Sequence, residues 1–153
     1  MDVEQTIREY LPQVMHMSLA TVSASRPWVC EVHFAYDDAL NLYFRSQTSR
    51  RHSQEIAANA NVAGNMAVQC GVGEFCKGVV DFEGTAKLLA PGPEQDKAYA
   101  CISKRLGLGE KILEEAGRED GAKFYQITVT NWAVFGKFDG EKPAKSELSW
   151  PQP

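Results

Sequence analysis

The sequence predicts an α+β domain built on a six- or seven-stranded antiparallel barrel, closed or partly closed, with three or four peripheral helices. Three observations predict it. Apolar residues recur with period two in six or seven short runs. Turn residues separate the first three runs so closely that they form an antiparallel meander. Helical periodicity is confined to segments inserted between the runs, the pattern of a curled sheet rather than a parallel open one.

Residues 3–11 read as a first short helix, with Asp2 and Gln5 as a capping box and Val3, Ile7, Tyr10 and Leu11 on one face. At Met15 the period changes to two. Residues 15–22 form the first strand, Ser25-Arg26-Pro27 marks a turn, and residues 28–36 form the second strand. Trp28 and Phe34 read as core residues, and His33 falls on the polar face with Glu31. His16, on the first strand, reads as a packing or hydrogen-bonding residue. Asp37-Asp38 makes the next turn, and Leu40, Leu42 and Phe44 mark the third strand. Residues 49–59 read as a helix with Ser49 as its N-cap.

Residues 62–69 form the fourth strand, broken by Gly71-Val72-Gly73. Residues 79–89 form a long fifth strand with Val80, Phe82, Gly84, Ala86 and Leu88 on one side, and Pro91-Gly92-Pro93 ends it. Residues 94–106 read as a helix with Ala98, Cys101, Ile102 and Leu106 inward, and residues 110–116 as a shorter one. Residues 124–130 make the sixth strand, and residues 133–138 a short seventh. Trp132 reads as a core or interface aromatic. The tail after Gly140, about residues 141–153, is rich in Pro, Lys and Glu and is expected to be loose.

The 153 residues suit a single domain, residues 1–153. Sixteen basic against 20 acidic residues give a net charge of −4, which argues against a nucleic-acid-binding surface. No run is long and apolar enough to span a membrane, and the N-terminus lacks a signal-peptide core, so a cytoplasmic protein is expected. Cys30, Cys70, Cys76 and Cys101 form no Cys-x-x-Cys pair, so no metal site is expected and the thiols read as reduced and mostly buried.

Chemistry concentrates where the third strand runs into a helix, at residues 42–52, Leu-Tyr-Phe-Arg-Ser-Gln-Thr-Ser-Arg-Arg-His. A first helical turn presents unpaired N–H groups and a partial positive charge. Basic residues there oppose the helix dipole at a cost of about 0.3–1 kcal/mol each. Two arginines, a histidine and three hydroxyls at this point suit a phosphate site better than a bare helix. The alternative reading of the same residues is a solvated basic helix start. Elsewhere no Ser-His-Asp arrangement, carboxylate pair or P-loop follows from spacing.

Residues 17–22 (Met-Ser-Leu-Ala-Thr-Val), the hairpin after them, residues 42–46, Ser49-Arg50-Arg51-His52 and Asn61-Val62-Ala63 follow one another in an order that resembles the pyridoxamine-phosphate-oxidase-related, FMN-binding split barrels. The resemblance covers most of residues 15–89, and the order of elements continues it to about Phe138. It implies a Greek-key split β-barrel and a homodimer with flavin mononucleotide (FMN) at the interface. It also implies a flavin-dependent oxidoreductase acting on an unknown small molecule. By the same resemblance Arg50 and Arg51 bind the FMN phosphate, and Ser46, Thr48 and Ser49 bond phosphate or ribityl oxygens. Phe44 and Arg45 line the flavin, Val32 and His33 meet its ring edge through backbone groups, and Lys77 reaches across the dimer. A non-enzymatic flavin- or haem-binding barrel and a deazaflavin-dependent reductase are the alternatives on this fold. The chain ends in Ser-Trp-Pro-Gln-Pro without the Arg- and Trp-bearing substrate segment of full-length pyridoxamine phosphate oxidases, so vitamin B6 synthesis is not expected.

Overall fold

The computed structural model describes residues 2–74, 76–136 and 145–152. Helix α1 (Val3–Tyr10) starts at Asp2, whose carboxylate accepts the Gln5 N–H at 3.1 Å, the expected capping bond. Its apolar stripe buries Ile7 and Tyr10, and Leu11 follows in a 3-10 turn. Strands β1 (His16–Ser23) and β2 (Arg26–His33) form a hairpin. Its turn is Ala24-Ser25, both at positive φ, so Arg26 and Pro27 belong to the strand rather than to the turn. Strand β3 (Ala35–Tyr36) is short and pairs with β4 (Leu42–Ser46).

Helix α2 (Arg51–Ala58) leads to β5 (Asn61–Ala67) and the long β6 (Val79–Leu88). Helices α3 (Pro93–Leu106) and α4 (Lys111–Ala116) follow. Strand β7 (Lys123–Phe135) runs without a break through the expected sixth and seventh strands. Residues 137–138 of the expected seventh strand lie outside the described residues. Strand β8 (Lys145–Ser149) corrects the expectation of a loose tail. It pairs with the second half of β7, and Trp150 Nε1 donates to the Ala39 carbonyl at 3.0 Å.

Among the described residues all pairings are antiparallel, in the order β2-β1-β5-β6-β7-β4-β3 with β8 on β7. The sheet curls so that β2 packs back towards β4, an antiparallel half-barrel of the split-barrel type. Its interior holds Met17, Leu19, Phe34, Leu42, Phe44, Ile127 and Trp132, all fully buried. A second core lies outside the barrel wall, where Ala98 and Ile102 of α3 and Ile112 of α4 cover Ala35, Tyr43 and Phe124. The alternation of β6 holds through Ala86 and fails at Leu88, which is exposed.

Arg105 ties α3 to the barrel. Its guanidinium lies over Phe34 and Tyr36 and donates to the carbonyls of Leu11, Val14 and Phe34. This packing opens a space between α3, α4, the end of β2 and the end of β4. Cys70 is exposed and the other three free cysteines are half-buried, which corrects the expectation of mostly buried thiols. No helix among the described residues is long and apolar enough to cross a membrane.

Candidate functional site

The space between these elements is a cavity of about 660 Å³, within the ordinary range for small-molecule sites. Its two ends differ. Arg45, Ser46, Gln47, Arg50 and His52, from the end of β4 and the start of α2, make a polar end. Val32, Ile102, Leu106 and Leu108 make an apolar wall, with Met15 and His33 at its edge.

The start of α2 differs from its expected form. Arg50, not Ser49, occupies the N-cap, and no side chain caps the helix. Arginine carries donors and no acceptor, so the N–H groups of the first turn keep no side-chain partner. The guanidinium of Arg50 forms no ion pair among the described residues. Its charge and the helix dipole therefore add at one place, an arrangement that stabilises an anion.

The two arginines part company here. Arg51 turns away from the cavity: its Nε donates to Glu55 at 2.9 Å, and its guanidinium lies over the Trp28 ring, 4.2 Å from the centroid. Glu55 also accepts the Thr21 hydroxyl at 2.5 Å, which pins α2 to β1. These hydrogen bonds from Thr21 and Arg51 hold the Glu55 carboxyl below its usual range. Trp28, expected in the core, is instead 40% exposed beneath Arg51.

Behind Arg50 lies a compact polar group. Ser46 Oγ sits 2.7 Å from His52 Nε2 and accepts the Ser53 hydroxyl at 3.0 Å. Burial, and then the nearby Arg50 charge, hold His52 below the ordinary histidine range. It is therefore neutral at pH 7. Arg45 pairs with Glu115 at 2.5 Å across 70 residues of sequence, and its Nε is buried without a hydrogen-bond partner. The Arg45 bond holds Glu115 ionised below the usual carboxylate range.

Of the ten residues expected at the site, Val32, His33, Arg45, Ser46 and Arg50 line the cavity together. Phe44, Thr48, Ser49, Arg51 and Lys77 do not. Phe44 is buried in the core, stacked on Tyr125 with centroids 5.0 Å apart, and Lys77 lies where its carbonyl accepts the Tyr10 hydroxyl at 3.4 Å. Sequence reasoning missed Gln47, Ile102, Leu106, Leu108 and Glu115. Gln47 lies within the basic segment itself, whereas Ile102, Leu106 and Glu115 come from α3 and α4 and Leu108 from the loop between them, which no local pattern connects to β4.

The family model for pyridoxamine 5'-phosphate oxidase matches residues 3–135. No curated protein matches the chain by sequence. Among solved structures, the haem storage protein HutZ from Vibrio cholerae is 17% identical with a TM-score of 0.68, covering 97% of this chain and 95% of that one. The haem binding protein from Mycobacterium smegmatis is 13% identical with a TM-score of 0.75, and the match covers 97% of this chain but 58% of that longer chain. General Stress Protein 26 from Bacillus anthracis str. Sterne is 15% identical with a TM-score of 0.64, covering 88% and 94%. At these identities the structural likeness shows the fold.

Proposed function

Since this chain belongs to the pyridoxamine 5'-phosphate oxidase family, we propose that its cavity binds FMN and that the protein is a flavin-dependent oxidoreductase acting on a small molecule. The observation that carries this reading is Arg50, an unpaired guanidinium at an uncapped helix start inside a two-ended cavity.

The residues present fit the group. Arg50 and the first-turn N–H groups of α2 would hold the phosphate. Ser46 and Gln47 offer polar atoms next along the wall, and the unpartnered Arg45 Nε supplies one more donor. Val32, Ile102, Leu106 and Leu108 would face the ring and keep water from it. When bound, the flavin supplies the redox chemistry, and the protein supplies position and electrostatics. His52 takes part in positioning: its Nε2 lies 2.7 Å from Ser46 Oγ and holds that hydroxyl beside Arg50.

Met15, which lines the cavity, and Trp28 and Val29 of the edge strand β2 are 43%, 40% and 59% exposed. Ligand sites bury most of their ligand, and apolar side chains on an edge strand need cover. A second copy of the chain laid over β2 does both, so the reading includes a homodimer with the cofactor near the join.

A second reading has its own support. Met15 and His33 both line the cavity, and both are axial-ligand types for haem iron. Two structural relatives are haem proteins by name. In that reading the barrel stores or senses haem without catalysis. One preparation separates the two. Purified protein is titrated with FMN, a deazaflavin and haemin, followed by visible absorption, and its mass is taken by light scattering. A flavin spectrum on a particle of twice the chain mass is the expected result. A haem Soret band with no uptake of FMN supports the second reading, and a colourless monomer that takes up none of the three ligands contradicts both.

A further inference from the structure

The hairpin places two histidines directly opposite each other. The β1–β2 register pairs His16 with His33, and both side chains are exposed. Their Nε2 atoms lie 3.0 Å apart and their ring centroids 4.2 Å apart, with the rings tilted at 59°. At this distance the two ring nitrogens converge on one place, where they hydrogen-bond to each other or bind one metal ion together.

We propose that His16 and His33 form a chelating site for a divalent late first-row transition cation, with Ni²⁺ and Cu²⁺ favoured over Zn²⁺. The spacing is the reason for that order. Imidazole nitrogens sit ~2.0–2.1 Å from such ions. At that bond length the observed separation of 3.0 Å subtends roughly 90–100° at the metal. This is the angle between neighbouring ligands in square-planar or octahedral sites, and it is narrower than a tetrahedron requires. Solvent exposure leaves both rings free to turn their lone pairs to a common point.

The surroundings favour a cation. One step along the same face the register pairs Ser18 with Glu31, and the Ser18 hydroxyl donates to the Glu31 carboxylate. That carboxylate is held next to the imidazoles, where it lowers the energy of a positive charge and can accept hydrogen bonds from metal-bound water. His16, Ser18 and Glu31 also line a hollow of about 220 Å³ with Asn65 and Gln69, so the water ligands have polar walls around them. No group of three His, Cys, Asp or Glu suited to a metal occurs among the described residues. The site is therefore a two-ligand chelate whose remaining positions are open to water or a small anion. His33 also lines the larger cavity, so the site is tested on protein free of flavin and haem.

Tag-free protein is titrated with NiCl₂ by calorimetry, and the histidine ring signals are followed by NMR. One Ni²⁺ per chain is expected, broadening the signals of His16 and His33 and sparing His52. His16→Ala and His33→Ala should each weaken binding at least about tenfold, while Cys70→Ser, which removes the exposed thiol, should change nothing. Both histidines are exposed, so the variants should fold, and far-UV circular dichroism checks this. His16→Gln, which keeps a polar side chain of similar reach, should fail in the same way. An absence of Ni²⁺ uptake, unchanged affinity in either alanine variant, or loss of binding in Cys70→Ser would each overturn the proposal.

Discussion

Asp37, in the turn before β4, is nearly buried and bonded three ways. It accepts the Asn41 backbone N–H at 2.9 Å and the Tyr43 hydroxyl at 2.9 Å, and pairs with Lys97 at 2.7 Å. Burial alone would raise its pKa, but the bonds from Lys97, Asn41 and Tyr43 outweigh burial and lower it. The sign follows directly. A carboxyl held lower in the folded state stabilises the fold above its unfolded pKa of ~3.9, and that stability fades as pH falls through the folded value. Lys97 is half-exposed and screened, so Asn41 and Tyr43 carry most of the effect. Asp37→Asn should cost about 1–3 kcal/mol near neutral pH, and the difference from wild type should shrink below about pH 4. Urea unfolding at both pH values checks this. The partners Tyr43 and Lys97 lie on different elements, which is why no local pattern announced them.

At the scale of elements, the strands with strict alternation were legible and the turns were less so. The alternation in β6 and the first half of β7 reflects one face buried in the barrel, a pattern that depends on few neighbours. In the first hairpin Arg-Pro resembles a turn, whereas Ala24 and Ser25 make it with φ of 48° and 62°. A two-residue turn with both residues in this region normally carries Asn-Gly. Pro27 is tolerated because β2 is an edge strand of the sheet. The shift matters for function, because the true turn is what sets His16 opposite His33. Replacing Ala24-Ser25 with Asn-Gly should relieve this strain and stabilise the protein by about 1 kcal/mol. A lower urea midpoint in that double variant would argue that the turn is not as described. The N-cap of α2 differs from its sequence pattern for a related reason. Ser49 has the better side chain for capping, but the turn in which the Arg50 N–H bonds to the Gln47 carbonyl at 3.1 Å starts the helix one residue later.

For the whole molecule, the curled antiparallel sheet followed from strand number and spacing, while its layering did not. Strand β7 pairs with β6 along its length, with β4 at one end and β8 at the other. The last of these contacts joins residues 145–149, whose Pro- and Lys-rich approach gave no strand signal. The candidate site was legible where it depends on one continuous segment, residues 45–50, and hidden where α3 and α4 close over it. The proposed site divides in the same way, with its anion anchor in one stretch of chain and its apolar wall from α3, α4 and the end of β2. The most direct test is an FMN titration, read by quenching of flavin fluorescence, of wild type, Arg50→Ala and Arg51→Ala. Arg50→Ala should bind FMN about 10- to 100-fold more weakly while keeping its circular dichroism, from the ~1.5–3 kcal/mol of a charged hydrogen bond. Arg51→Ala, whose guanidinium serves Glu55 and Trp28, should bind nearly as wild type does. Unchanged FMN affinity in Arg50→Ala would contradict the proposed site.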